Sequence, residues 1–155
     1  MRRFTLCCCA VVLVGCNKPK EQPAMDTTAA APEAPAGPAP IALADVAGKW
    51  SVRVMPESGD STLLTYELVA TADPSGWTLN FPKRPPVPAR VTAAGDSIVT
   101  EAGPYESVLR KGVQVTTNGV MRLVDGKLVG TTTAHYAASG ADSVLSLRFE
   151  GTRAP

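Results

Sequence analysis

Trp50-Ser51-Val52-Arg53-Val54 alternates apolar and polar side chains at every step. A strand points successive side chains to opposite faces, so this stretch predicts a strand with one face buried and the other wet. The same period of two returns in Leu64-Thr65-Tyr66-Glu67-Leu68, in Trp77-Thr78-Leu79-Asn80-Phe81 and in Leu145-Ser146-Leu147-Arg148-Phe149-Glu150. Turn signals separate these runs: Glu57-Ser58-Gly59-Asp60, Asp73-Pro74-Ser75-Gly76, Ala94-Gly95-Asp96, Asn118-Gly119, Asp125-Gly126 and Ser139-Gly140. Glycine after Asn or Asp supplies the positive φ of a tight hairpin, so each pair is expected to turn the chain. Beyond Ile41 no helical period stands out, although Ala42 to Val46 can form one turn. The expected fold is all-β, a small antiparallel meander barrel of eight to ten strands, with an open β-sandwich as the alternative. Closure hides the strand edges that a meander otherwise exposes.

Residues 41–155 suffice for one core and are too few for two. Residues 17–40 differ in composition, with Pro19, Pro23, Pro32, Pro35, Pro38 and Pro40 among Ala, Thr and Glu. Such a segment has too little bulky apolar surface to offset its ordering entropy, and it reads as a disordered spacer. Extended as polyproline II it would reach on the order of 70 Å. A Pro-x-x-Pro ligand for another domain is the alternative.

Arg2 and Arg3 precede an apolar stretch, Leu6 to Val14, of the length of a secretory signal core. It is too short to span a bilayer, which takes about 20 apolar residues. Leu13-Val14-Gly15-Cys16 closes it. This resembles the lipobox of bacterial lipoproteins. The resemblance implies cleavage after Gly15, a signal peptide at 1–15, diacylation of Cys16 as the new N-terminus, and a domain at 41–155 tethered to the membrane through 16–40. It places the protein at the cell envelope. Asn17, where an aspartate can retain a lipoprotein at the inner membrane, points to the outer membrane facing the periplasm in a two-membrane cell.

Cys7, Cys8 and Cys9 lie within the apolar stretch, where a thiol serves as a small hydrophobe, and no cysteine follows Cys16. A mature chain would form no disulfide of its own. The charges are 15 Lys+Arg against 14 Asp+Glu, and removal of Arg2 and Arg3 leaves 13 against 14. No basic patch of the kind that neutralises phosphates stands out, so no nucleic-acid partner is expected.

His135 is the single histidine, which excludes a multi-histidine metal site or a His-Cys pair within one chain. The alternation of its strand puts it on the face turned to solvent or to a polar lumen wall. No Gly-x-Ser-x-Gly nucleophile elbow occurs, and Glu101, Glu106 and Glu150 sit in turn-flanked or polar positions. No catalytic residue, metal or cofactor is expected, and the protein is read as a non-enzyme.

Gly48-Lys49-Trp50 opens the first strand, and Arg148 and Arg153 lie on or just beyond the last. This resembles the Gly-x-Trp opening of lipocalin-like and avidin-like barrels. It implies that Trp50 plugs the closed end of the barrel, with Arg148 or Arg153 packed across it. Gly130, Thr132 and Ala134 are small and share one face, which could leave room for a small apolar or amphipathic ligand beside Trp77, Phe81 and Tyr136. The alternative is a filled barrel that presents loops to an envelope protein. The stretch from Phe81 through Pro82-Lys83-Arg84-Pro85-Pro86-Val87 to Pro88 is stiff and, with Arg90 nearby, basic: the rim of a barrel mouth, a contact for an anionic surface such as lipid headgroups, or a rigid connection with solvated charges.

Overall fold

A computed structural model describes residues 39–140 and 143–155. The segment expected to be a signal peptide, Cys16 and nearly all of the segment expected to be a spacer lie outside the described residues. Among the described residues eight strands run in chain order: β1 (Gly48–Pro56), β2 (Leu64–Ala70), β3 (Trp77–Asn80), β4 (Val87–Ala94), β5 (Ser97–Glu106), β6 (Gln114–Val124), β7 (Lys127–Tyr136) and β8 (Val144–Arg153). Each pairs antiparallel with the next, and β8 returns to β1, closing the barrel. One short helix, α1 (Leu43–Val46), precedes β1. The fold is the expected all-β meander barrel, at the lower end of the expected strand number and compatible with a lipocalin-like barrel.

The period of two does the sorting. In β1, Trp50, Val52 and Val54 are buried while Ser51 and Arg53 are exposed. In β8, Leu147 and Phe149 are buried between the more exposed Ser146, Arg148 and Glu150. His135 is exposed on the outer face of β7, between the buried Ala134 and Tyr136. The core gathers Val46, Trp50, Val52, Leu68, Trp77, Ile98, Met121, Leu128 and Phe149 from around the barrel.

Gly95-Asp96 joins β4 to β5 and Asp125-Gly126 joins β6 to β7, both as tight turns. Asp125 and Gly126 have φ of 50° and 75°, the left-handed pair that a primed hairpin needs. Asn118-Gly119, expected as a turn, instead lies inside β6, paired to Glu101 and Thr100 on one side and to Thr133 and Thr132 on the other. Close approach accounts for that glycine: a Cβ on Gly119 would stand 2.8 Å from Thr100 Oγ1.

Candidate functional site

One end of the barrel is shut. Trp50, wholly buried at the start of β1, donates its indole N–H to Val46 O at 2.8 Å, so α1 lies across the base. The Arg153 guanidinium sits over the Trp50 ring, 4.4 Å from its centroid, and donates to Ala47 O and Asp45 O, each at 2.9 Å. Gly48 has φ of 133°, and a Cβ there would meet Arg153 Nη1 at 2.8 Å. The spacing from Gly48 to Trp50 therefore has a physical basis: the missing side chain admits the arginine. Of the two candidate partners only Arg153 reaches the tryptophan. Arg148 points to the opposite end, donating to Pro56 O at 3.3 Å and pairing with Gly59 O and the Asp60 carboxylate in the β1–β2 loop.

Trp77 also belongs to the base half. It is fully buried and donates its indole N–H to Thr71 O at 2.9 Å. With Leu68, Ala89, Met121 and Phe149 it borders a void of only about 30 Å³. The room expected at Gly130 is taken by the Phe149 ring, whose Cζ would lie 2.8 Å from a Cβ at that position.

The mouth half is built differently. Phe81, Thr132, Ala134 and Tyr136 come together there with Leu79, Tyr105 and Leu109 around a second void of about 60 Å³. Thus four of the six proposed ligand contacts share this cavity, while Trp77 lies deeper and Gly130 lines neither void. Tyr66, Phe81 and Tyr105 form a ladder of rings, with centroids 5.2 Å and 5.6 Å apart. Sequence reasoning missed Tyr66 and Tyr105 as site residues: Tyr66 follows the inward period of β2, whereas Tyr105 stands three positions after the buried Ala102 and turns inward only through the register shift in β5 between the two. Burial pushes both hydroxyls above the ordinary tyrosine value, and each feels a second tyrosine hydroxyl, while a hydrogen bond with Thr117 partly offsets the effect on Tyr105.

The segment 107–113 covers the opening. Ser107 Oγ accepts from the amides of Leu109 and Arg110, both at 3.1 Å, and Ser107 N donates to Val113 O at 2.8 Å. The Arg110 guanidinium lies 4.0 Å from the Tyr136 ring centroid. The proline-rich segment is the connection between β3 and β4 at the same rim, where Arg84 Nη1 donates to Glu106 O at 2.6 Å. Outside it, a groove of about 500 Å³ runs past Phe81, Pro86, Pro88, Pro104 and Tyr105.

Among the described residues there is no cluster of three or more His, Cys, Asp or Glu side chains able to hold a metal, and no helix long and apolar enough to cross a membrane. The chain matches no protein-family model, no curated protein and no solved structure.

Proposed function

We propose that the chain is a bacterial envelope lipoprotein, held to the membrane through lipid on Cys16, whose barrel is a non-enzymatic module binding a small apolar or amphipathic ligand at its mouth. The anchor rests on Leu13-Val14-Gly15-Cys16 behind a short basic and apolar leader. Kinship with lipocalin-like barrels rests on Gly48, Trp50 and Arg153 meeting at the base. The observation that carries the ligand reading is the contrast in lining: the base is packed by its own side chains, while Phe81, Tyr105, Leu109 and Tyr136 surround unfilled space at the mouth. Aromatic and aliphatic walls with a few hydroxyls are the usual lining of a small-molecule site.

The size of that space favours a second reading. About 60 Å³ is less than the roughly 150 Å³ that accepts benzene. Unless the mouth rearranges, the barrel acts as a filled module whose loops engage an envelope protein. Native mass spectrometry of the full chain, extracted gently from its own host's membranes, separates the two. A co-purifying small molecule supports the ligand module, and a bare mass supports the filled one. The anchor has its own test: labelled palmitate should enter the wild-type chain and not a Cys16→Ser variant. Equal labelling of both would refute it.

A further inference from the structure

The barrel wall is incomplete at the mouth between β2 and β5. The ladder joining β2 to β3 covers Glu67, Leu68 and Val69, leaving Leu64, Thr65 and Tyr66 without a β3 partner among the described residues. The ladder joining β4 to β5 begins at Ala89 and Ala102, so Val87 and Pro88 have no β5 partner. Proline accounts for part of this, since Pro88 has no N–H and Pro82, Pro85 and Pro86 hold the connection out of the sheet. Where hydrogen bonds stop, rings close the wall. Phe81 stacks between Tyr66 and Tyr105, and it borders the inner void, the groove of about 500 Å³ on the β5 side and another of about 410 Å³ on the β2 side. Phe81 is common to all three spaces, while Tyr105 and Tyr66 each border the inner void and one of the grooves.

Resting on the ligand-binding reading above, we propose that a single-chain amphiphile with an anionic head enters the barrel sideways, through this seam. Its chain displaces the Phe81 ring and its head stays outside against Arg84 and Lys83. The alternative route, over the top, requires 107–113 to give up the hydrogen bonds of Ser107 and the 3.1 Å bond from Gly112 N to the Glu106 carboxylate. Swinging Phe81 breaks no strand ladder, because β3 has ended at Asn80. An acyl chain in the place of the ring keeps the apolar surface buried. A void of about 60 Å³, enlarged by the space of one ring, favours a single chain over two. Head charge follows from the rim: Arg84 lines the groove with Lys83 beside it on the connection, while the acid of the groove, Glu106, is engaged by Gly112 N; Arg90, farther down β4, is matched across the ladder by Glu101. Arg84 uses Nη1 on Glu106 O and retains further N–H donors for a carboxylate.

The test uses the full chain in phosphatidylcholine nanodiscs, with dansylundecanoate as probe and protein-free nanodiscs as baseline. Saturable binding is expected. Phe81→Leu, which keeps an apolar plug of smaller size, should speed association about tenfold. Arg84→Gln, which removes the charge but keeps a side-chain N–H donor for Glu106 O, should weaken dansylundecanoate about tenfold and leave uncharged dansylundecanol unchanged. Binding that ignores both substitutions overturns the sideways route and leaves the ligand module standing. A response to only one overturns the half of the proposal that the other tests. No saturable binding of either probe, by wild type or by Phe81→Leu, overturns this inference together with the ligand reading.

Discussion

The two ends of this barrel are made from the same alternating strands, yet they are finished in opposite ways. At the base, Gly95-Asp96 and Asp125-Gly126 turn the chain within two residues, and α1 with Trp50 and Arg153 fills what remains. At the mouth, β3 ends early, the proline-rich connection leaves the sheet, and rings from Tyr66, Phe81 and Tyr105 stand where a ladder would run. The difference teaches where this fold holds its stability and where it can yield. A ladder must lose backbone hydrogen bonds to open, whereas the wall of rings at the mouth has none of these between its members.

The largest effect should come from the base. Trp50→Ala removes a wholly buried ring and its hydrogen bond to Val46 O, and should cost about 3–5 kcal/mol, read as a fall in the urea midpoint. Phe81→Ala removes a ring bordered on three sides by space, so collapse and solvent soften the loss to under about 3 kcal/mol. Equal losses for the two variants would erase the distinction between a filled end and a yielding one.

Next in size is Gly48→Ala. It places a Cβ against Arg153 Nη1 at a φ of 133° and should cost about 1–3 kcal/mol. Arg153→Ala alone should cost less, about 1 kcal/mol, since the guanidinium is exposed and its stacking on Trp50 is partly screened. Combined, the two should cost clearly less than their sum, because the clash disappears with the arginine. Strict additivity in chemical denaturation would show that the glycine serves a purpose other than admitting Arg153.

Much of this was legible in the sequence, and the misses have physical causes. The alternation at Trp50, Leu64, Trp77 and Leu145 gave the strands their faces because strand period and burial are one signal. Asn118-Gly119 misled because Asn-Gly is the commonest hairpin signal, whereas here Gly119 answers to a crowded neighbour, Thr100, that lies 19 positions away in the chain and is visible only after β5 and β6 pair. Arg148 and Arg153 could not be told apart, since strand tilt and register decide which end of β8 reaches Trp50. Gly130 looked like room; the large side chain that fills it, Phe149, comes from the partner strand. The seam escaped notice because it depends on where ladders stop, although Pro82, Pro85, Pro86 and Pro88 marked its place.

The smallest effect sharpens the comparison from the mouth side. Tyr66 is held neutral, first by burial and then by the Tyr105 hydroxyl, so its folded pKa lies above the unfolded value of about 10. With the folded value raised, the unfolded chain releases its proton first as the medium turns alkaline, and stability is lost as pH rises above about 10. Below that the hydroxyl is neutral in both states and gives no pH dependence. The slope above it is at most about 1.4 kcal/mol per pH unit from this residue, with Tyr105 adding its own share. Tyr66→Phe should therefore leave thermal stability at pH 7 nearly unchanged and flatten the alkaline limb between pH 10 and 11. The base has no tyrosine to contribute, because its rings are those of Trp50, Trp77 and Phe149, none of which titrates. An unaltered limb in Tyr66→Phe would mean that the alkaline transition begins elsewhere, and that the mouth is as firmly closed as the base.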